Sequence, residues 1–219
     1  MKPRSGLPRA ADVALAALGL VLASPLLAIA AVAIKATSRG PVIYRQTRVG
    51  RHGAEFELWK LRTMKRGSDP VGVGTAVVQG DPRVTSAGRL LRRFALDEVP
   101  NLVNVLRGEM AIVGPRATLP AQAELYTPRQ RRRLELRPGI TGWSQTHGRA
   151  GIPWEERIEQ DVWYVENRSL SLDLKIIAVT PLVVFRGTGI AATDAYAGAA
   201  EDSPLRRAAE RETRTGTRP

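Results

Sequence analysis

The chain has no cysteine and only two histidines, His52 and His147. A disulfide framework and a thiolate nucleophile are therefore excluded, and a zinc site of the usual His/Cys kind has too few ligands to form. Aromatic residues make up 5% of the chain, so the stacking platforms used by single-strand nucleic-acid binders are in short supply. Acids are outnumbered as well: 21 Asp and Glu stand against 33 Lys and Arg, giving a formal net charge of +12. That surplus favours anionic partners, whether nucleic acid, phosphorylated small molecules or acidic lipid, and charge alone does not choose among them. A length of 219 residues suits one domain with a core rather than two large ones.

Charge is missing altogether from one long stretch. Val13 to Ile34, "VALAALGLVLASPLLAIAAVAI", runs for 22 residues, long enough as a helix to span roughly 30 Å of hydrocarbon. Pro25 removes a backbone hydrogen bond and crowds the preceding turn, so a bend is expected at Ser24-Pro25, where the Ser24 hydroxyl can bond a freed carbonyl. Lys2, Arg4 and Arg9 precede the run, and Lys35, Arg39, Arg45, Arg48 and Arg51 follow it. Both flanks read as cytoplasmic, and a helix that enters, bends and leaves by the same face satisfies both. A re-entrant membrane helix is the favoured reading. A straight span, a signal peptide cleaved at "AVA" (Ala31 to Ala33) and a buried core helix are the alternatives. Asp12 and the length of the run argue against the signal peptide, and the apolar character on every side argues against the core helix.

Val42 to Arg45 and Glu55 to Leu61 read as two strands of a hairpin. Residues 65 to 82 read as a mobile loop, without the glycine spacing of a dinucleotide fingerprint or the end of a P-loop. Arg83 to Arg93 forms a basic helix, and a second helix starts at Asp97, stops at Gly108 and buries Val99, Leu102, Val103 and Leu106. Glu124 to Glu135 is a charged helix whose arginines form a solvated face or meet acidic lipid. Glu155 to Asn167 is amphipathic, with Trp154, Trp163 and Tyr164 as core residues or interfacial anchors. Leu174 to Phe185 is too short for a span and either packs under the domain or lies in the membrane interface. The expected fold class is α+β and mostly helical, with an N-terminal membrane segment at 1–37, a globular unit at 38–190 and a disordered tail at 191–219.

The stretch "RRFALDEVPNLVNVLRG" sets Asp97 and Glu98 beside Arg89, Arg92 and Arg93. As a helix N-cap, Asp97 needs no further explanation. An acid among arginines at a helix start is also expected to stay ionised, which suits a nucleophile or a metal ligand acting on phosphate. A divalent cation such as Mg²⁺ is held by one or two carboxylates together with substrate phosphates. Locally, cap and catalysis both stand. Downstream, Arg116 follows a Gly-Pro turn in "MAIVGPRA", and "LRPGITGWSQTHGR", Leu136 to Arg149, is dense in side chains suited to a nucleotide and its phosphates.

Taken in order, "GPVIYRQTRVG", "WKLRTM", "DPRVTSAGRLLR", "LDEVPNLVNVLRGEM", "VGPR", "RPGITGWSQTHGR" and "DVWYVENRSLSLDLKI", after Ser24-Pro25, resemble the bacterial sugar transferases, the monotopic phosphoglycosyl transferase superfamily, from about Leu7 to Gly187. In size the chain resembles minimal members without an added transmembrane bundle. The resemblance implies a domain on the cytoplasmic face of the bacterial inner membrane, held by a re-entrant helix bent at Ser24 and Pro25. It implies amphipathic interfacial helices and transfer of a sugar-1-phosphate from a nucleoside diphosphate sugar, commonly a UDP-sugar, to polyprenyl (undecaprenyl) phosphate. It implies Asp97 as nucleophile, with Glu98 assisting the acceptor or holding Mg²⁺ with Asp97. Lys60, Arg62, Arg92, Arg116 and Asp161 form the implied substrate phosphate-binding set, although Asp161 reads equally well as a helix-surface acid. Ala117 stands where the family has proline, which implies a less rigid Arg116 loop, and Glu109 replaces the commoner aspartate. The competing class is a non-enzymatic, membrane-tethered basic protein that binds acidic lipid or nucleic acid. No nucleic-acid motif appears, so no nucleic-acid partner is expected, and homo-oligomerisation stays open.

Overall fold

Helix α1, Arg9–Thr37, carries the apolar run, and the computed structural model describes it along with residues 5–68, 80–147, 153–186, 207, 208 and 211 as a whole. Most of the expected tail at 191–219 and residues 69–79 of the expected loop lie outside the described residues. Ala16, Ala30 and Ile34 pack against the rest of the chain, whereas Val21, Leu22, Ile29 and Val32 are each at least 66% exposed. Among the described residues α1 is the one helix long and apolar enough to cross a membrane. Pro25 sits inside it, and the helix is assigned as continuous across the proline. Proline at position 25 leaves the carbonyl four residues earlier without its amide, and the Ser24 hydroxyl donates to that Val21 oxygen at 2.8 Å.

The first turn of α1 is tied to the domain by polar groups. Asp12, 4% exposed, accepts the Ile112 amide at 3.0 Å, while Arg9 Nη2 donates to the Val105 and Leu106 carbonyls at 2.5 and 3.2 Å. Strands β1 (Ile43–Val49) and β2 (Glu55–Leu61) follow as an antiparallel hairpin, with Ile43 opposite Leu61 and Val49 opposite Glu55. Strand β1 runs beyond the expected Arg45, because polar Gln46, Thr47 and Arg48 pair with Leu58, Glu57 and Phe56 rather than announcing themselves by hydrophobicity. Phe56 and Leu58 face inward, joining Ala16, Val105 and Met110 in one core cluster.

Helix α2 (Ser86–Arg93) is capped by Thr85, whose hydroxyl accepts the Gly88 amide at 3.0 Å. Gly88 lies against Thr63 so closely that a Cβ would stand 2.0 Å from the Thr63 carbonyl oxygen. Ala95 then adopts the left-handed conformation (φ 53°, ψ 22°), a strain of order 1 kcal/mol for a residue with a Cβ, and turns the chain out of α2. Leu96–Glu98 form a single 3-10 turn, and helix α3 begins only at Asn101 and ends at Arg107. A helix starting at Asp97 is therefore corrected: Pro100 is the N-cap, and Asp97 belongs to the turn before it. The expected buried stripe is also corrected. Asn101, Asn104 and Val105 are buried, Leu106 is 39% exposed, and Val99, Leu102 and Val103 are half-buried. The rotation follows from Asn104, which is fully buried, accepts the Trp59 amide at 3.1 Å and donates to the Glu57 carbonyl at 2.6 Å on the open edge of β2.

Strands β3 (Ala111–Val113) and β4 (Gly139–Thr141) pair in parallel. Their backbones approach closely where Gly114 meets Gly139, a Cβ on Gly139 reaching within 2.1 Å of the Gly114 nitrogen. In place of one charged helix over Glu124 to Glu135, the chain forms α4 (Pro120–Glu124), α5 (Pro128–Arg131) and a 3-10 turn, Arg132–Glu135. Thr127 caps α5 ahead of Pro128, which breaks the run, and Arg133 is buried rather than solvated. After α6 (Trp143–Thr146), helix α7 (Trp154–Asn167) buries Trp154, Ile158, Val162 and Tyr164 and leaves Trp163 39% exposed. Helix α8 (Leu170–Arg186) buries Ile176 and Asp173 and exposes Leu174, Leu182 and Phe185. The observed class is α+β and mostly helical.

Candidate active site

A cleft of about 1490 Å³ opens between the hairpin, the 3-10 turn, the loop after β3 and helices α6 to α8. Asp97, Glu98, Lys60, Arg62, Arg92 and Arg116 all line it. Asp97 and Glu98 are its carboxylates, and the walls add Arg45, Arg48, Lys65, Arg66, Arg83 and Arg157. Positive charge dominates, so the cleft attracts anions.

Glu98 is the better-held acid. Lys60 Nζ donates to its Oε1 at 2.7 Å and Arg116 Nη2 to the same oxygen at 3.3 Å, with 22% of the Glu98 side chain exposed. Burial alone raises its pKa, but the charges and hydrogen bonds of Lys60 and Arg116 outweigh that and bring it down to about 2. Asp97 goes the other way: burial raises its pKa and the Glu98 charge adds to the rise, while Lys60 and Arg92 oppose it. Of the two acids expected to stay ionised, Glu98 is the one whose pKa its cations lower, while burial raises that of Asp97. Arg92 donates from Nε to Thr63 Oγ1 at 2.8 Å, and burial lowers its pKa.

The other expected residues take different positions. Arg62 contributes to the cleft wall, but its Nη2 donates to the Ser38 carbonyl at 2.9 Å and Oγ at 3.0 Å, fastening the chain that leaves α1. Asp161 is 1% exposed and lies beneath the cleft rather than in its wall. Its carboxylate pairs with Arg133, accepts from Ser144 Oγ at 2.7 Å and accepts the Arg116 amide at 3.3 Å. Arg133, bonded also to the Tyr126 hydroxyl, donates to the Arg116 carbonyl at 2.8 Å. Both backbone groups of Arg116 are therefore gripped by one buried ion pair. Its loop is further fixed by the Val49 amide bonding the Thr118 carbonyl at 2.9 Å, so it is held without a proline at Ala117.

From "LRPGITGWSQTHGR", Ser144, Gln145 and Thr146 line the cleft, whereas Trp143 stacks on His147 with ring centroids 3.6 Å apart. Arg149 lies outside the described residues. Two cations of the wall, Arg48 and Arg157, and the buried Arg133 were not singled out as site residues from sequence. The alternation Tyr44, Gln46, Arg48, half-buried between exposed Arg45 and Thr47, is the signal that could have found the first. Arg133 and Arg157 carry no such local sign.

A carboxylate pair ringed by cations, set beside a membrane-length apolar helix, defines an enzyme that handles phosphorylated groups. The chain belongs to the bacterial sugar transferase family, whose sequence pattern matches residues 4–187. It is 46% identical over 169 residues to the "Uncharacterized sugar transferase EpsL" of Bacillus subtilis, covering 77% of this chain and 81% of that one. It is 44% identical over 196 residues to the UDP-glucose:undecaprenyl-phosphate glucose-1-phosphate transferase of Caulobacter vibrioides, covering 82% of this chain and 73% of the relative. The protein of the same name in Escherichia coli is 44% identical over 191 residues, and there the match spans only 40% of the relative's length.

Proposed function

We propose that this protein transfers a sugar-1-phosphate from a nucleoside diphosphate sugar to undecaprenyl phosphate, releasing a nucleoside monophosphate and initiating assembly of a bacterial glycan. The observation that carries the reading is the acidic turn, Asp97-Glu98, inside a cleft whose other charged lining is cationic. Relatives are named for UDP-glucose and, in Aeromonas hydrophila, for UDP-N-acetylgalactosamine, so a UDP-sugar is the donor class proposed here.

In this mechanism Asp97 attacks the sugar-bearing phosphorus and the nucleoside monophosphate leaves; the acceptor phosphate then displaces Asp97. One transfer becomes two in-line steps through an aspartyl-phosphosugar. Lys60, Arg92 and Arg116 offset charge on the phosphate oxygens. Glu98, held ionised by Lys60 and Arg116, orients those two cations and is poorly suited to donate a proton. Arg62 and Asp161 act through the frame, the first by fixing the exit of α1 and the second by holding Arg116.

Asp97 and Glu98 are the oxygen donors that Mg²⁺ would take. Among the described residues no group of three or more His, Cys, Asp or Glu converges, a donor set that fits an ion drawing its remaining ligands from substrate phosphates and water. Mg²⁺ bound there would neutralise phosphate charge.

The membrane reading is a re-entrant α1 that enters and leaves by the cytoplasmic face. Exposed Leu90 on α2, Phe94 just after it, Leu106 on α3 and Leu174, Leu182 and Phe185 on α8 are proposed to meet the same interface. A panel of nucleotide sugars, incubated with the protein and undecaprenyl phosphate, tests the activity. Release of nucleoside monophosphate with at least one donor is expected, and no release from any donor by folded protein would overturn the proposal.

A further inference from the structure

Among the described residues two cations of the cleft, Arg48 and Arg157, form no ion pair, and a third, Arg116, shares its one acidic partner with Lys60. Arg48, Arg116 and Arg157 come from β1, the loop after β3 and α7, and all line the same cavity. Arg48 directs Nε and Nη2 to one neutral acceptor, Gln46 Oε1, at 3.0 and 2.5 Å, and Nη1 to the Ala117 carbonyl at 3.4 Å. Arg157 keeps its Nε buried without a hydrogen-bond partner. Arg116 reaches Glu98 Oε1 at 3.3 Å, but Lys60 already holds that oxygen at 2.7 Å. The nearby Asp161 is engaged by Arg133. Burial lowers the pKa of Arg48, to about 10, and of Arg157, and the Arg116 charge lowers each of them further. Desolvated cations are costly unless an anion joins them.

We infer that Arg48, Arg116 and Arg157 form a second phosphate subsite, which holds the phosphate of the departing nucleotide and afterwards the phosphate of the lipid acceptor. This rests on the two-displacement reading above. In the first step the Asp97 oxygen bonds to phosphorus as the bond to the nucleotide phosphate breaks, and the electron pair leaves on that phosphate oxygen. In the second the acceptor phosphate oxygen bonds to the same phosphorus, and the pair returns to the Asp97 carboxylate. No proton needs to move. In-line displacement sets the leaving and entering oxygens opposite Asp97 in both steps, so the same cations meet both phosphates in turn.

The test is equilibrium binding of uridine monophosphate and of farnesyl phosphate to the full-length protein, with thermal unfolding to check that each variant is folded. Arg48→Gln and Arg157→Gln are each expected to weaken both probes by about tenfold or more. Lysine at either position should recover part of the loss, and each probe should displace the other. Arg129→Gln, which removes an exposed partner of Glu159, should leave both affinities unchanged. Loss of one probe alone would overturn a shared subsite, and unchanged binding of both would overturn the subsite itself. Phosphosugar labelling of Asp97 in the unaltered protein separates the two claims. Label with arginine-independent binding defeats this inference alone; no label with arginine-dependent binding defeats the transfer reading and leaves the subsite.

Discussion

Asp97 and Glu98 are adjacent, yet burial raises the pKa of the first while Lys60 and Arg116 lower that of the second, which is the basis for the different roles proposed for them. Glu98 falls from an ordinary 4.5 to about 2, so its ionised form stabilises the fold above pH 4.5, and that contribution is lost as pH drops toward 2. Glu98→Gln should flatten the acid end of a stability-against-pH curve measured by denaturant unfolding. Burial raises the Asp97 pKa above its ordinary 3.8, and the proposed nucleophile must be deprotonated, so the acid limb of turnover is expected above that value. Lys60 lowers the Asp97 pKa, so Lys60→Met should move the acid limb to higher pH as well as slow turnover; a pH-rate profile reads both. The pair, Lys60, Arg92 and Arg116 were legible as candidates only through the ordered motifs taken together, and the fold brings them to one cleft. Their ranking was not, since it depends on which acid Lys60 reaches across 38 residues of chain.

Elements show where local pattern fails. Helix α3 reads as an amphipathic stripe of Val and Leu, yet its buried face is set by Asn104, which supplies hydrogen bonds to an edge of β2 that sequence periodicity cannot see. Asn104→Ala should therefore leave the Trp59 amide and Glu57 carbonyl unpaired and cost about 2–4 kcal/mol, measurable by chemical denaturation. Arg133 belongs to a run of like arginines, of which it is the one turned inward to Asp161. Arg133→Met would strand a buried carboxylate, at a cost of roughly 3–5 kcal/mol, and loosen the grip on Arg116. Strand β2 and helix α7 were readable because their apolar residues recur at the spacing of their own type, whereas β1 outran its apolar start and α8 showed in sequence only as an apolar run. The left-handed turn at Ala95 was not, since no glycine marks it.

At the scale of the whole molecule, the basic cleft is joined to an apolar helix by polar ties at its first turn, Arg9 and Asp12, and at its exit, Arg62 to Ser38. The helix was evident from composition, but its attachment to β3 and α3 was not, because those partners lie about 100 residues away. With no native cysteine, topology can be read cleanly from Ser5→Cys and Ala36→Cys, both at exposed positions flanking the run. Both should react with an impermeant thiol reagent only when the cytoplasmic side is open; reaction from opposite sides would restore a straight span. The central claim, that Asp97 is the nucleophile, meets its most direct test in mass spectrometry of protein incubated with a UDP-sugar donor and no acceptor. A phosphosugar adduct on Asp97, absent from Asp97→Asn and discharged by undecaprenyl phosphate, is the result predicted; full turnover by Asp97→Asn, or an adduct on another residue, would contradict it.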